Sequence, residues 1–203
     1  MVTIESQRLR LRCPYGTDAS VLAEIHSDPD VAQYVLGGVP SVVALEQAWR
    51  NIAMLVGHWH LRGFGPWIVE DRLNGEVVGR VGFWAPDGWP GIELTWLMRR
   101  SRWNSGLATE AALAALTWAA RTLPTRRVIS LIHPDNVRSI RVATKIGEQL
   151  EGEVVMAETK LLVFGVALPL DPVRPVSQLR TAWLQNAQRR NREVDGEDSG
   201  TAT

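Results

Sequence analysis

The sequence is poor in the residues that build covalent or metal cross-links. Its 203 residues include a single cysteine, Cys13, which excludes an internal disulfide and a zinc site made of several cysteines. Four histidines are scattered along the chain: His26, His58, His60 and His133. We therefore expect no metal centre, and a chain of this length can bury a core without one.

Charge of one sign and long apolar runs are also lacking. Acidic and basic residues balance at 22 each, which argues against a protein that mainly binds nucleic acid. The longest nearly apolar run, residues 161–170, is too short to span a bilayer. The first residues contain no apolar signal core. These absences predict a cytoplasmic enzyme or binding protein with no nucleic-acid or membrane partner.

Hydrophobic periodicity predicts a mixed α/β domain. The expected element order is β-α-α-β-β-β-α-β-α-β-β, with seven strands. Ser41 is the expected cap of a long amphipathic helix that ends at Gly63. An Asn74-Gly75 turn predicts a hairpin between two of the strands.

The chain divides into a domain and a tail. Residues 1–170 contain all the predicted strands, and three prolines near residue 170 mark an exit linker. Residues 171–203 form the expected tail. Within it, 178–192 has a helical pattern and 193–203 has a composition typical of disorder.

Residues 92–111 predict a strand, a short polar loop and a helix that opens on small residues. A helix N-terminus offers unpaired backbone N–H groups, and Gly106 and Ala108 allow an anion to approach them. The pattern is neither a P-loop nor a dinucleotide-binding fingerprint. An ordinary helix start with small residues for packing is the alternative interpretation.

A second strand–helix unit makes the functional interpretation of the first one more specific. It contains His133-Pro134-Asp135-Asn136 followed by Arg138-Ser139-Ile140-Arg141. Together the two units resemble the GNAT family of acyl-CoA-dependent N-acyltransferases. The most similar branch acetylates N-termini of ribosomal proteins and also contains small-molecule acetyltransferases. The resemblance covers about residues 3–168.

The resemblance implies a fold and a donor substrate. The GNAT fold has a central mixed, mostly antiparallel sheet of about seven strands, flanked by helices and splayed at the acyl-CoA site. The donor is acetyl-CoA, and no metal is needed. Its pyrophosphate is expected on the backbone N–H groups of six residues: Asn104, Ser105, Gly106, Leu107, Ala108 and Thr109. Its pantetheine arm is expected to pair with the preceding strand through Trp96, Leu97 and Met98, and to contact Asn136.

The implied reaction is direct transfer of acetyl from the CoA thioester to a primary amine. Glu93 is the candidate general base or amine anchor, and the alternative is a strand carboxylate paired with an arginine. Ser139 matches a serine near the thioester sulfur, and the alternative is an ordinary serine on a helix face. Many GNAT enzymes have a tyrosine acid where this chain has Ala143, and no tyrosine follows Tyr34.

Other polar residues in these motifs have structural interpretations. His133 is expected at a strand end, and Glu110 is expected to interact with a helix dipole. Most of the nine tryptophans are expected in the core. Trp84 or Trp89 could instead line an acceptor pocket.

Several functional alternatives stay open at this stage. The acceptor amine is a protein N-terminus or a small molecule such as an amino acid, a polyamine or an antibiotic. A non-catalytic acyl-CoA-binding module is the rival from another class. A longer donor such as succinyl-CoA would be favoured by an arginine near the thioester end. A homodimer is compatible with the resemblance.

Overall fold

The computed structural model describes residues 2–35 and 43–168. Within these ranges the chain forms eight strands: β1 Ile4–Glu5, β2 Leu9–Arg12, β3 Pro66–Asp71, β4 Val77–Trp84, β5 Glu93–Met98, β6 Arg127–Ile132, β7 Gln149–Met156 and β8 Thr159–Ala167. The α-helices of the same ranges are α1 Ala19–Ser27, α2 Pro29–Ala32, α3 Leu45–Arg62, α4 Leu107–Thr122 and α5 Val137–Lys145.

The eight strands form one sheet in the order β1-β2-β3-β4-β5-β6-β8-β7. Neighbouring strands are antiparallel except β5 and β6, which are parallel. The predicted mixed, mostly antiparallel fold is confirmed. The sequence interpretation missed β1, because two residues are too few to show an alternating pattern.

The parallel pair β5–β6 is splayed. Only Glu93 and Ile129 pair in register between these strands, although each strand has six residues. The strands therefore meet at the N-terminal end of β5 and diverge towards its C-terminal end. A gap opens in the middle of the sheet, with Met98 and Ile132 at its wide end.

Helices cover the two faces of the sheet separately. On one face, α4 packs through buried alanines and leucines on strands β2, β4 and β5. On the other face, buried side chains of α1 and α3 pack on Ile68 and Leu97. Arg80 pairs with both of these residues across the sheet. Because paired residues share a face, Arg80 lies on the side of α1 and α3.

Local signals were read correctly at two turns. Gly63 ends α3 in the left-handed conformation, and Gly75, with φ +73°, lies between the antiparallel strands β3 and β4. The predicted cap Ser41 lies outside the described residues, as do the proposed linker, tail helix and disordered end. The helix itself begins at Leu45, with Ala44 at its N-cap. Among the helices that the structure describes, none has the length and hydropathy to cross a membrane.

Candidate active site

A cleft of about 940 Å³ opens at the gap between β5 and β6. Its walls come from the gap itself, from the start of α4, from α5, and from the α1–α3 side of the sheet. The cleft brings together the predicted site residues Glu93, Trp96, Leu97, Met98, Asn104, Gly106, Leu107, Ala108, Thr109, Asn136 and Ser139. Ser105 does not line it, and its hydroxyl donates instead to the Arg102 carbonyl at 2.5 Å.

The start of α4 presents unpaired backbone donors to the cleft. Gly106 is the N-cap in the left-handed conformation, with φ +81°. The first helical hydrogen bond runs from the Glu110 N–H to the Gly106 carbonyl at 3.0 Å. The N–H groups of Leu107, Ala108 and Thr109 therefore precede the helical ladder and carry its positive dipole end. This arrangement fits a diphosphate.

Arg8 holds the loop before α4 from outside the cleft. Its Nη1 donates to the Ser105 carbonyl at 3.0 Å, and its Nε pairs with Glu110 at 2.7 Å. Glu110 also accepts from the Ser6 hydroxyl and the Arg8 N–H. Those hydrogen bonds hold the pKa of Glu110 below its ordinary value, although its partial burial acts in the opposite direction. Glu110 thus has the structural role that the sequence indicated, with Arg8 as the partner.

The backbone of β5 exposes only alternate residues to the gap. Arg99 donates its N–H to the Val78 carbonyl on β4, so the amides of odd-numbered residues in β5 point towards β4. Trp96 and Met98 therefore turn their backbone groups to the gap. Leu97 turns its backbone to β4 and reaches the cleft with its side chain. The Met98 carbonyl already accepts from the Trp103 indole at 2.9 Å, which leaves the N–H of Met98 and both groups of Trp96.

Asn136 and Ser139 form the start of α5 at the edge of the gap. Asn136 caps the helix, and its side-chain oxygen accepts from the Ser139 N–H at 3.1 Å. The Ser139 hydroxyl accepts from the Trp96 indole N–H at 3.3 Å. Its own proton stays available for a group in the cleft. Ala143 is fully buried in a cluster against which Trp96 packs, so the position at which many GNAT enzymes have a tyrosine lies in the core here.

Glu93 lies at the closed end of the gap, where β5 and β6 meet. Its carboxylate is buried and accepts from the Trp89 indole N–H at 2.8 Å and from the Leu131 backbone N–H. Burial raises the pKa of Glu93 to about 7, and the hydrogen bonds and the nearby Arg80 oppose this rise. A carboxyl with this pKa changes protonation state near neutrality, as a general base must. No direct ion pair joins Glu93 to an arginine of the described residues, unlike the alternative considered from sequence.

A second buried carboxyl lies behind the wall of the cleft. Glu148 is 3% exposed, and its Oε1 lies 2.8 Å from the hydroxyl of Ser130. Burial raises the pKa of Glu148 to about 8, and the nearby Glu93 adds to the rise. The same Ser130 hydroxyl, on β6, lies 2.8 Å from the Leu94 carbonyl on β5, next to the point where the two strands diverge.

Aromatic side chains line the α1–α3 side of the cleft. Trp84 stacks on His58 with ring centroids 4.5 Å apart. His58 is held between the Phe64 carbonyl and the Ala85 N–H, so its ring is fixed. Burial lowers the pKa of His58, and its Nε2 accepts a hydrogen bond from Ala85, so the ring is neutral. Trp84 is therefore a preformed wall of the cleft.

Tyr34 reaches the same cleft from the segment after α2. Its ring lies 5.3 Å from the ring of His133, which follows β6. The His133 Nδ1 accepts from the Asp135 N–H at 3.2 Å. His133 therefore shapes the strand end and the Asn136 turn, in line with its structural interpretation.

Sequence reasoning missed four residues of this region: Arg8, Arg80, Ser130 and Glu148. Arg8, Ser130 and Glu148 act through partners distant in the chain, and Arg80 owes its setting to the strands and helices packed around it. Single-sequence patterns carry no signal for either arrangement. In residues 2–35 and 43–168, no group of three or more His, Cys, Asp or Glu side chains is placed to hold a metal ion.

Comparisons with known proteins agree with this geometry. The family model "Acetyltransferase (GNAT) domain" matches residues 8–149. An uncharacterized protein of Bacillus subtilis (strain 168), YkkB, is 33% identical over 150 residues, which is 70% of this chain and 82% of that protein.

Solved structures show the same fold. The acetyltransferase from Agrobacterium tumefaciens str. C58 has a TM-score of 0.72 and 27% identity, covering 82% of this chain and 94% of that one. Mycobacterium smegmatis RimJ, in complex with CoA-disulfide, has a TM-score of 0.74 and 18% identity, covering 89% of this chain and 94% of that one.

The family model spans well over half of the chain, and it includes the gap, the start of α4 and the start of α5. By sequence and by architecture, this chain belongs to the GNAT acetyltransferase family.

Proposed function

We propose that the protein transfers acetyl from acetyl-CoA to a primary amine. The observation that carries this proposal is the β5–β6 gap, with Glu93 at its closed end and the unpaired N–H groups of α4 at its open end. A donor that spans the cleft would have its diphosphate at α4 and its thioester near Trp96. The CoA-bound RimJ structure is a fold neighbour in which a CoA compound is present.

The reaction uses groups on both sides of the gap. Glu93 takes a proton from the acceptor ammonium, and the neutral nitrogen attacks the thioester carbonyl. A C–N bond forms while the carbonyl oxygen gains negative charge, which the Trp96 or Met98 N–H stabilises. The C–S bond then breaks, and the CoA thiolate leaves. Its proton comes from the Ser139 hydroxyl, which is replenished by the second proton lost from nitrogen.

The acceptor enters from the α1–α3 side, because Glu93 pairs with Trp84 and shares its face of the sheet. Trp84 and Trp89 then form the aromatic wall of the acceptor pocket. The acceptor is a protein N-terminus or a small molecule in this proposal. We expect the protein to act in solution in the cytoplasm.

Titration calorimetry with acetyl-CoA, followed by a thiol-release screen of amines and N-terminal peptides, tests the proposal. We expect saturable 1:1 binding and thiol release with one class of amine. Binding without release from any amine would favour a non-catalytic acyl-CoA-binding module. Absence of acetyl-CoA binding would overturn the proposal.

A further inference from the structure

One arginine on the sheet wall of the cleft is partly buried and has no ion-pair partner among the described residues. Arg80 lines the cleft from β4 and forms no ion pair with any carboxylate of residues 2–35 and 43–168. Its Nε atom is buried and has no hydrogen-bond partner within these residues. The other described arginines without an ion pair are exposed: Arg121, Arg126, Arg138 and Arg141. Arg138 and Arg141 also line the cleft, from α5, but in contrast to Arg80 they are open to solvent.

The surroundings of Arg80 do not neutralise it. Ile68 and Leu97, its neighbours on β3 and β5, are buried and apolar. From α1, His26 faces it, but its Nδ1 bonds the Leu22 carbonyl at 2.7 Å, and burial and the Arg80 charge lower its pKa. From β5, Glu93 is near enough for attraction but forms no direct contact.

A guanidinium whose Nε is buried without a hydrogen-bond partner destabilises a fold unless something compensates it. A guanidinium stays protonated and offers a planar fork of donors that matches a carboxylate. The missing partner of Arg80 is therefore an anion, and the cleft is where that anion can arrive. This region holds the acceptor, because Arg80 shares the sheet face of Glu93 and Trp84.

We propose that the acceptor is a small primary amine that also carries a carboxylate, of the amino-acid class, with its amine at Glu93 and its carboxylate on Arg80. The inference rests on the proposed acetyl transfer and narrows its acceptor. A polyamine would bring a second positive charge towards Arg80, and a peptide N-terminus would bring a neutral amide. Both should be poor acceptors.

Matched pairs of substrates test the assignment. The probes are the common L-amino acids, the corresponding L-amino acid amides, and spermidine, each with acetyl-CoA and thiol release as the readout. We expect kcat/KM for the best amino acid to exceed that of its amide at least tenfold. Equal or better use of the amide or of spermidine would overturn this inference and leave the proposed acetyl transfer standing.

Substitution of Arg80 separates recognition from structure. At pH 9, where Glu93 is ionised with or without the charge of Arg80, Arg80→Met should raise KM for the amino acid at least tenfold, with little change in kcat for the amide or in acetyl-CoA affinity. Arg80→Lys should retain part of the preference for the acid. Arg62→Met, a surface control whose partner is Asp87, should behave like wild type. Equal loss on acid and amide would contradict the role of Arg80.

Thermal unfolding distinguishes a recognition role of Arg80 from a structural role, because the two roles predict opposite changes in Tm for Arg80→Met. Because Arg80→Met removes an uncompensated cation, Tm should stay the same or rise. A large fall in Tm would show that Arg80 stabilises the fold and would overturn the inference.

A carboxylate could also reach Arg80 from the acyl chain. Wild-type protein is therefore compared with acetyl-CoA and succinyl-CoA, using an amine without a carboxylate, ethanolamine. A preference for succinyl-CoA that Arg80→Met abolishes would move the carboxylate to the donor and overturn the acceptor assignment. If acetyl-CoA does not bind, the proposed transfer itself fails, and that result precedes any comparison of amines.

Discussion

Ser130 Oγ lies 2.8 Å from Glu148 Oε1, and this contact indicates the protonation state of a buried carboxyl. The Ser130 hydroxyl has one proton, and the Leu94 carbonyl at 2.8 Å can only accept it. Both contacts can be hydrogen bonds at once when Glu148 is protonated and supplies the second proton. Burial acts in the same direction, since it raises the pKa of Glu148 to about 8. Glu148 is therefore a neutral acid at pH 7.

The raised pKa of Glu148 makes stability depend on pH. The unfolded chain loses this proton near the ordinary value of 4.5, whereas the folded protein keeps it until about pH 8. The contribution of Glu148 to the free energy of unfolding is thus fully present below pH 4.5 and declines as pH rises to about 8. Each pKa unit corresponds to about 1.4 kcal/mol, so the decline amounts to about 5 kcal/mol at most.

Glu148→Gln should remove this decline. At pH 5 the variant should have a Tm close to that of wild type, because an amide resembles a protonated carboxyl. At pH 9 it should be more stable than wild type by about 1–3 kcal/mol. Glu153→Gln, on an exposed part of β7, is the control and should show no such pH-dependent gain. A constant difference between pH 5 and pH 9 would contradict the neutral-acid assignment.

Glu93 should set the acid limb of the pH–rate profile. Its carboxylate form accumulates as pH rises through about 7, so kcat/KM should rise over the same interval. Glu93→Gln should reduce kcat by about 10²–10⁴-fold and remove this limb. Rates with the best acceptor from pH 5.5 to 9 provide the measurement, and Asp87→Asn, in an exposed loop, is the control. An intact limb near pH 7 in Glu93→Gln would assign proton removal to another group.

The outline of the fold was predictable because its signals are local. The Asn74-Gly75 turn, the helix stop at Gly63 and the small residues after Asn104 each act within a few positions. The gap was expected only through family resemblance. Periodicity alone predicts strands β5 and β6 but gives no indication that they diverge after Glu93 and Ile129.

The electrostatics of the site were not predictable in the same way. Arg80 and Glu148 differ little from surface residues in the sequence. The burial of Glu148 and of the Arg80 Nε depends on which strands and helices pack around them. Ser130 acquires its role from a carbonyl 36 positions earlier in the chain. Sequence reasoning selected Glu93. Its raised pKa comes from burial at the point where β5 and β6 diverge, which only the folded sheet creates.

Trp89 tunes Glu93 through one hydrogen bond. The indole N–H donates to Glu93 Oε2 at 2.8 Å and favours the charged carboxylate. Trp89→Phe keeps an aromatic wall but removes the donor, so the pKa of Glu93 should rise and the acid limb should move to higher pH by about one unit. Trp84→Phe is the matched control, because Trp84 pairs with Glu93 only through the backbone and its indole does not donate to the Glu93 carboxylate. The acid limb of this variant should stay at the wild-type pH. A Trp89→Phe limb at the wild-type position would exclude this coupling.

Gly106 is the most direct test of where the donor's diphosphate binds. A glutamate at this position would place a negative charge at the positive end of α4 and repel the phosphates. The left-handed backbone, with φ +81°, also strains any side chain there. Gly106→Ala has the same strain without the charge, and a Cβ at this position meets nothing nearer than Arg8 Nη2 at 3.5 Å.

We expect calorimetry to show acetyl-CoA affinity reduced about 100-fold or more in Gly106→Glu and less than about tenfold in Gly106→Ala. The difference between the two variants corresponds to a charge effect of at least about 1.4 kcal/mol. Equal losses in the two variants would mean that backbone strain, not phosphate binding, explains the effect, and the diphosphate would then have to bind elsewhere in the cleft.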